Sequence, residues 1–180
     1  MILVTGGAGY IGSHTCVELL DSGQEVVVFD NFSNSHPESL KRVEAITGRK
    51  IHLVEGDIRD QTALEEALRR FGCTAVIHFA GLKAVGESVE KPLDYYDNNV
   101  IGTHRLLRAM GNCGVKILVF SSSATVYGEP QRLPLTEDHP LSATNPYGRT
   151  KLIIEDMLLD LYRPDPPCQI GILRYLNPAV

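Results

Sequence analysis

Short apolar runs alternate with helix-like segments along nearly the whole chain. Six runs, rich in β-branched and aliphatic residues, predict strands at residues 2–5, 25–30, 51–57, 74–81, 116–123 and 168–175. These runs are almost continuously apolar, which is typical of a parallel sheet that has helices on both faces. The alternation of strands and helices therefore predicts an α/β fold built on a doubly wound, Rossmann-like parallel sheet.

The segments between the predicted strands carry helix signals. Helices are predicted at residues 13–21, 37–48, 60–71 and 93–110, and in the segment that begins with Asn145-Pro146. In the second of these helices, Leu40, Val43 and Ile46 are expected on one face, with Gly48 at the end. Asp60 is expected to cap the third helix. Residues 128–145 form a long irregular segment, and loops of that length are often functional.

The composition is that of a globular protein, with 43% hydrophobic and 22% charged residues among 180. A net charge of −5 without any block of lysine or arginine argues against nucleic acid as a partner. No apolar run is long enough to cross a bilayer, and the N-terminal MILVTGG lacks the features of a secretory signal. The four cysteines lie far apart, which indicates reduced thiols and a cytoplasmic protein. The six histidines show no ligand-like spacing, so no metal site is expected.

A glycine-rich turn, TGGAGYIG, directly follows the first predicted strand. Gly7, Gly9 and Gly12 form the pattern GxGxxG, and Gly6, Gly9 and Gly12 form an equally regular GxxGxxG. Such a turn lets the backbone and a helix N-terminus approach a pyrophosphate. Asp30 lies 21 residues beyond Gly9 at the end of the second strand, where it can accept from the ribose hydroxyls of NAD and repel the 2′-phosphate of NADP. A packing turn with an unrelated strand-end aspartate is the alternative.

A tyrosine and a lysine lie one helical turn apart in TNPYGRTK. Tyr147 and Lys151 therefore share a helical face, and Asn145-Pro146 helps to set where that helix begins. By itself a Tyr-x-x-x-Lys spacing is more often ordinary surface sequence than a site.

The glycine turn, SSSATVYG and PYGRTK together resemble the extended short-chain dehydrogenase/reductases, a family that acts on nucleotide-sugars. Within it, FAGLKAVGES (79–88) and KPLDYYDNNVIGT (91–103) resemble the UDP-glucose 4-epimerase group. The resemblance implies an isomerase that interconverts UDP-galactose and UDP-glucose through transient oxidation at sugar C4 with tightly bound NAD, in galactose metabolism. Family members continue beyond RYLNPAV into a smaller substrate domain. Residues 1–180 are therefore expected to be the NAD-binding domain of a longer enzyme, with doubtful activity alone.

The resemblance also implies a set of site residues. Ser123, Tyr147 and Lys151 match the catalytic triad, and Lys83, Ser123, Tyr147 and Asn177 would contact the UDP-sugar. The implied cofactor-binding residues are Gly6, Gly9, Tyr10, Ile11, Gly12, Asp30, Asn31, Phe32, Ser33, Asn34, Ser35, Asp57, Ile58, Phe79, Ala80, Gly81, Leu82, Lys83, Asn98, Tyr147, Lys151 and Tyr175. One position departs from the family, which usually has phenylalanine where this chain has Leu176.

The chemistry accounts for the spacing of the triad. Oxidation of the C4 hydroxyl needs a base, and the Lys151 ammonium with the positive charge of NAD⁺ should lower the pKa of Tyr147. Ser123 can hydrogen-bond the reacting oxygen. Serines at strand ends are common, so Ser123 alone is weak evidence, whereas all three residues in this order are strong evidence.

Two other functions remain open. A nucleotide-sugar 4,6-dehydratase of the same superfamily would place Thr-Asp-Glu where this chain has Ser123, Ala124 and Thr125. A non-catalytic NAD-binding module would keep the glycine turn without needing Tyr147 and Lys151.

The sequence also bears on association. The apolar residues of the Tyr147 helix cover more than one face, and the family resemblance favours a homodimer through this helix and the one near Asn98. The alternative is a monomer in which the helix is deeply buried.

Overall fold

The computed structural model describes residues 1–162 and 168–176. Its six strands form one parallel sheet in the order β3-β2-β1-β4-β5-β6, which confirms the predicted fold class. The strands are β1 (Ile2–Thr5), β2 (Val26–Asp30), β3 (His52–Glu55), β4 (Ala75–His78), β5 (Ile117–Ser123) and β6 (Gln169–Tyr175). β3 and β4 are shorter than the apolar runs that predicted them, because the carboxyl ends of those runs turn into loops.

The helices follow the predicted order with different bounds. They are α1 (Tyr10–Asp21), α2 (Glu38–Thr47), α3 (Gln61–Arg70), α4 (Val85–Glu90), α5 (Pro92–Tyr95), α6 (Gly102–Cys113) and α7 (Pro146–Leu161). A π-helical segment (Tyr96–Ile101) joins α5 to α6, and a 3₁₀ turn (Ala124–Tyr127) follows β5. The predicted long helix is thus a chain of three helical pieces, and α4 was not predicted. No helix in the described parts of the chain is long and apolar enough to cross a membrane.

Two predicted helix ends are confirmed. The Asp60 carboxylate accepts a hydrogen bond from the Ala63 N–H at 3.1 Å and so caps α3. Gly48 ends α2 in the left-handed conformation, with φ of 65°.

Apolar clusters cover both faces of the sheet. Leu3 of β1 belongs to a cluster with side chains of α3, α6 and α7, whereas its neighbour Val4 belongs to a cluster with α1 and α2. Both side chains are completely buried. The strand therefore has no polar face, and this explains its continuous apolar run.

Helix α2 buries only part of its predicted face. Leu40 and Val43 are buried in the cluster with α1, but Ile46 is 70% exposed. Each three-residue step falls about 60° short of a full helical turn, so Ile46 is rotated about 120° from Leu40. The third member of the predicted stripe has thus turned towards solvent.

The chain crosses to opposite faces of the sheet after β1 and after β4. β1 leads into α1 on one face, whereas the chain after β4 leads to α6 on the other. Because β1 and β4 are neighbours in the sheet, a crevice opens beyond their carboxyl ends.

Candidate active site

A cleft of about 480 Å³ lies at the carboxyl ends of the strands. Every residue that the sequence predicted for the cofactor lines this cleft, apart from Phe32 and Asp57. The three predicted catalytic residues line it as well. Five further lining residues were not predicted: Phe29, Gly56, Ser121, Ser122 and Leu176. Asn177, the remaining predicted substrate contact, lies outside the described residues.

The glycine turn is shaped by two positions that exclude any larger residue. Gly6 has φ of 68°, and a Cβ atom there would lie 2.6 Å from the backbone nitrogen of Ala80. A Cβ on Gly12 would lie 2.3 Å from the carbonyl oxygen of Gly6. The start of α1 is therefore held tightly against the turn after β1. Gly7, in contrast, is crowded mainly by the side chain of Val28.

Helix α1 begins in a way that suits an anion. No side chain caps its N-terminus at Gly9, and its first turn carries no acidic residue. The backbone N–H groups and the positive end of the helix dipole are therefore available at the cleft. This cradle, which depends on the close packing of α1 on the glycine turn, fits a dinucleotide pyrophosphate.

Asp30 braces the glycine turn from the end of β2. Its carboxylate accepts hydrogen bonds from the Ala8 N–H at 3.0 Å, the Phe32 N–H at 2.9 Å and the Ser35 hydroxyl at 2.8 Å. A carboxylate has about four acceptor positions, so these bonds leave about one for a ribose hydroxyl rather than the two that were expected. The Phe32 side chain packs on the cluster under α1 and α2.

Asp57 is turned towards a cation beside the cleft. Arg59 donates to both of its carboxylate oxygens, at 2.9 Å and 2.7 Å, and also pairs with Asp97 at 2.7 Å. Hydrogen bonds from Arg59 lower the pKa of Asp57 to about 2. The neighbours Gly56 and Ile58 form the cleft wall at this point.

Asn99 holds the loop that follows β4. Its side-chain oxygen accepts from the Leu82 N–H at 2.8 Å, and its amide nitrogen donates to the Leu82 carbonyl at 2.9 Å and to Thr150 at 3.2 Å. Asn98 lines the cleft and donates to the Asn99 oxygen at 2.9 Å. Both asparagines lie in the π-helical segment, a feature that often marks functional sites. The sequence analysis missed Asn99, although a polar residue at a buried helical position is a usable signal.

Helix α7 starts where the Asn-Pro pair predicted. The Asn145 side chain accepts from the Gly148 N–H at 2.8 Å, and Pro146 takes the first helical position. This start directs Tyr147 and Lys151 into the cleft. Ser123, at the end of β5, forms a hydrogen bond with the Tyr147 side chain.

Lys151 is a buried cation, only 5% exposed. Its ammonium donates to the Ser121 carbonyl at 2.8 Å and lies 5.9 Å from the centre of the Tyr147 ring. Burial lowers the pKa of Lys151 to about 8, and the charge of Glu155 opposes this shift.

The expected lowering of the Tyr147 pKa is wrong for the polypeptide by itself. Burial raises the pKa of Tyr147, and the hydrogen bond from Ser123 only partly offsets this effect. The spacing of two residues on a helix does not reveal how far each is removed from water, and here removal from water dominates.

The residues after Ser123 position its hydroxyl. The Ser123 oxygen accepts from the Thr125 N–H at 3.2 Å and from the Thr125 hydroxyl at 3.0 Å. With both of these donors directed at it, the Ser123 hydroxyl is free to donate its own hydrogen towards Tyr147. Ala124 supplies no acid or base at this point of the cleft.

Comparisons with known proteins place the chain in the family that the sequence motifs resemble. A family model described as GDP-mannose 4,6 dehydratase matches residues 3–177. The chain belongs to this family. It is a family of the extended short-chain dehydrogenase/reductase type, as the sequence motifs predicted.

Members of the family that resemble this chain are named as epimerases. UDP-glucose 4-epimerases from Bacillus subtilis and Homo sapiens are 59% and 58% identical to it over 177 and 185 residues. These matches cover 98% and 99% of this chain, and 52% and 53% of the relatives. The chain thus spans about half the length of the curated relatives it matches.

Solved structures agree with these matches. The UDP-glucose 4-epimerase of Bifidobacterium longum in complex with NAD+ and UDP superimposes with a TM-score of 0.94 at 51% identity. The match covers 97% of this chain and 52% of that one. The Stenotrophomonas maltophila enzyme, with bound NAD and formylated UDP-arabinopyranose, has a TM-score of 0.94 at 48% identity, with coverage of 97% and 52%.

Proposed function

We propose that this chain is the NAD-binding and catalytic part of an enzyme that interconverts UDP-galactose and UDP-glucose. The observation that carries the proposal is the convergence of Ser123, Tyr147 and Lys151 in the same cleft as the glycine turn. The names of the relatives, at 59% and 58% identity, support the same substrate class. A substrate domain after residue 180 would complete the binding of the nucleotide-sugar.

NAD is the cofactor that the cleft fits. The glycine turn and the uncapped start of α1 suit the pyrophosphate, and the Asp30 carboxylate suits a ribose hydroxyl. Lys151 would hold the nicotinamide ribose, and Tyr175, which pairs with Ser123 across β5 and β6, lines the same cleft. When bound, NAD would accept a hydride from C4 of the sugar. It would then return the hydride to the opposite face of the same carbon, which inverts the C4 centre.

The side chains of the cleft would handle the proton. Tyr147 takes the C4 hydroxyl proton. The Ser123 hydroxyl, which has a single hydrogen to donate, would turn from Tyr147 to the reacting oxygen once the sugar is bound. The Lys151 ammonium favours the phenolate, and an oxidised nicotinamide adds a second positive charge that counteracts the effect of burial on Tyr147. The same tyrosine then returns the proton, so the cycle has no net change in protonation.

Two alternatives fit the residues less well. The family description names a dehydratase, but elimination of water needs an additional acid and base, and Ala124 can be neither. A non-catalytic NAD-binding module would not need a buried lysine beside a tyrosine, because burying a cation is costly.

The proposal is tested on the full-length protein. Native mass spectrometry should detect NAD in the purified protein, and a coupled assay with UDP-galactose should detect UDP-glucose. NAD without turnover would favour the non-catalytic module, and a 4-keto-6-deoxy product would favour the dehydratase. The absence of both NAD and turnover would contradict the proposal.

Loss of the Asp30 carboxylate should weaken the discrimination between NAD and NADP. We expect Asp30→Ala to reduce the ratio of NAD to NADP affinity about tenfold, because the charge that repels a 2′-phosphate is gone. Calorimetry on cofactor-free protein measures the ratio. Asp21→Ala, at the exposed end of α1, removes the same charge elsewhere and should leave the ratio unchanged. An unchanged ratio in Asp30→Ala would remove Asp30 from the ribose site.

We further propose that the enzyme is a cytoplasmic homodimer that pairs through the helices near Asn98 and Tyr147. Large apolar side chains are exposed on α5, on the π-helical segment and on α7: Leu93 (78% exposed), Ile101, Leu159 and Leu161. Exposed apolar side chains on these elements support pairing through them, since a protein interface would bury them. The four unpaired cysteines support a reducing compartment. The native mass spectrum also reports the subunit count, and a monomer would contradict the dimer.

A further inference from the structure

Glu155 is a buried carboxylate that the mechanism above does not use. It is 1% exposed and lies four residues after Lys151, on the same face of α7. Its oxygens accept hydrogen bonds from the Ser122 hydroxyl and from the Arg174 guanidinium, from Nε at 3.1 Å and from Nη2 at 2.6 Å. Both oxygens of the carboxylate therefore accept hydrogen bonds from side chains of the neighbouring strands β5 and β6.

Stability alone does not account for this ion pair. Taking two charges out of water costs several kcal/mol, and apolar residues of similar size often stabilise a core as well or better. Glu155 is almost fully buried, and the Arg174 side chain is only 22% exposed. In some proteins, buried polar or ionic groups fix one arrangement of the elements that they join.

Glu155 joins α7 to β5 and β6, and these three elements carry residues of the candidate site. Ser122 lies between Ser121, whose carbonyl binds Lys151, and Ser123. Arg174 precedes Tyr175, which lines the cleft. The Arg174 Nη1 atom also donates to the Tyr127 hydroxyl at 3.0 Å, at the end of the 3₁₀ turn that follows Ser123.

The charge of Glu155 also acts on Lys151. The ionisable groups around the Lys151 ammonium are Tyr147 and Glu155 on α7 and His78 on β4, while Arg174 faces Glu155 from β6. Burial holds the pKa of His78 at about 3, so its ring is neutral. Glu155 is thus the negative charge that favours the ammonium form in this surrounding.

We propose that the Glu155–Arg174 ion pair is a positioning device, which fixes α7 to β5 and β6 and keeps Lys151 charged and bound at Ser121. This inference rests on the proposed function, since its measure is turnover. Glu155 and Arg174 are positioning residues, because they act on the site through Lys151, Ser122 and Tyr127.

The decisive variant is Glu155→Gln in the full-length enzyme. Glutamine keeps the size and an acceptor for Ser122 but removes the charge. Activity that needs the Lys151 ammonium is lost as pH rises through the pKa of Lys151. Removal of Glu155 lowers that pKa, so the alkaline limb of the kcat–pH profile should move down by about one pH unit. At pH 7 a one-unit fall from a pKa of about 8 removes only about half of the ammonium form. We expect kcat at pH 7 to fall by at least about twofold through the lost charge, and further through the weakened contact of α7 with β5 and β6, with an unchanged KM for UDP-galactose.

The Arg174→Lys variant separates the hydrogen-bond geometry of Arg174 from its positive charge. It keeps the positive charge beside Glu155 but loses the paired hydrogen bonds and the contact with Tyr127. We expect kcat to fall, while the alkaline limb of the kcat–pH profile stays at its original pH. Glu18→Gln on the exposed side of α1 makes the same chemical change as Glu155→Gln and should alter neither quantity.

The outcomes separate the proposed epimerase function from the proposed positioning role of the Glu155–Arg174 ion pair. An inactive wild type that binds NAD contradicts the proposed function and not the positioning role. An active wild type whose Glu155→Gln variant keeps the original kcat and alkaline limb overturns the positioning role. If Glu155→Gln does not fold, Glu155→Asp decides: a reduced kcat with the original limb supports the proposal, and an unchanged kcat overturns it.

Discussion

Replacement of Tyr147 by phenylalanine is expected to reduce epimerisation about 10³-fold while NAD remains bound. The ring still fills its place in the cleft, but no group is left to take the proton from the C4 hydroxyl. The measurements are kcat from the coupled assay and NAD content from native mass spectrometry, both on the full-length enzyme.

The matched control for this change lies directly after the same helix. Tyr162→Phe removes a hydroxyl from a ring that is 63% exposed at the end of α7, and it should leave kcat and NAD content unchanged. Near-normal turnover in Tyr147→Phe would mean that another side chain is the base. Parallel loss of NAD and activity would make Tyr147 a cofactor contact and leave its role in proton transfer unsupported.

Most of the fold was predictable because the sheet is buried on both faces. A strand such as β2, which is buried at every position, has no polar residue to interrupt its apolar run before Asp30. Helix ends were also predictable where a single residue determines them, as Asp60 and Gly48 do. The π-helical segment was not predictable, since the same residues fit an uninterrupted α-helix.

The candidate site was predictable where short motifs carry the chemistry. The glycine turn and Asp30 came from local spacing, whereas the Tyr147–Lys151 pair also needed the family resemblance. The structure brings all of them to one cleft. Glu155 and Arg174 were missed because charged residues on a helix and a strand are usually solvated, and only the packing shows them to be buried together.

For the polypeptide by itself, the direction of the Tyr147 pKa shift was wrong for a related reason. Helical spacing placed a cation near Tyr147, but the depth of the cleft decides how strongly water stabilises the phenolate. Burial shifts both groups towards their neutral forms, raising the pKa of Tyr147 and lowering that of Lys151. In the proposed mechanism, the Glu155 charge would favour the Lys151 ammonium, and an oxidised nicotinamide would favour the Tyr147 phenolate.

The second large effect is expected from Gly12→Ala. The added methyl would meet the Gly6 carbonyl oxygen at 2.3 Å and the Gly7 Cα at 2.8 Å, both of them backbone atoms that cannot rotate away. Helix α1 must then move away from the turn, which should cost about 1–3 kcal/mol of stability. Because the start of α1 is the proposed pyrophosphate cradle, the purified full-length variant should contain only traces of NAD.

The Gly111→Ala variant is the control, because here alanine is expected to raise the stability rather than lower it. Gly111 lies in α6 and an added Cβ would meet nothing within 4 Å, so alanine should raise stability by about 0.5–1 kcal/mol through its better helix propensity. Urea titration gives both free energies of unfolding, and native mass spectrometry gives the NAD content. Normal NAD content in Gly12→Ala would show that close packing of α1 on the turn is not what forms the cofactor site.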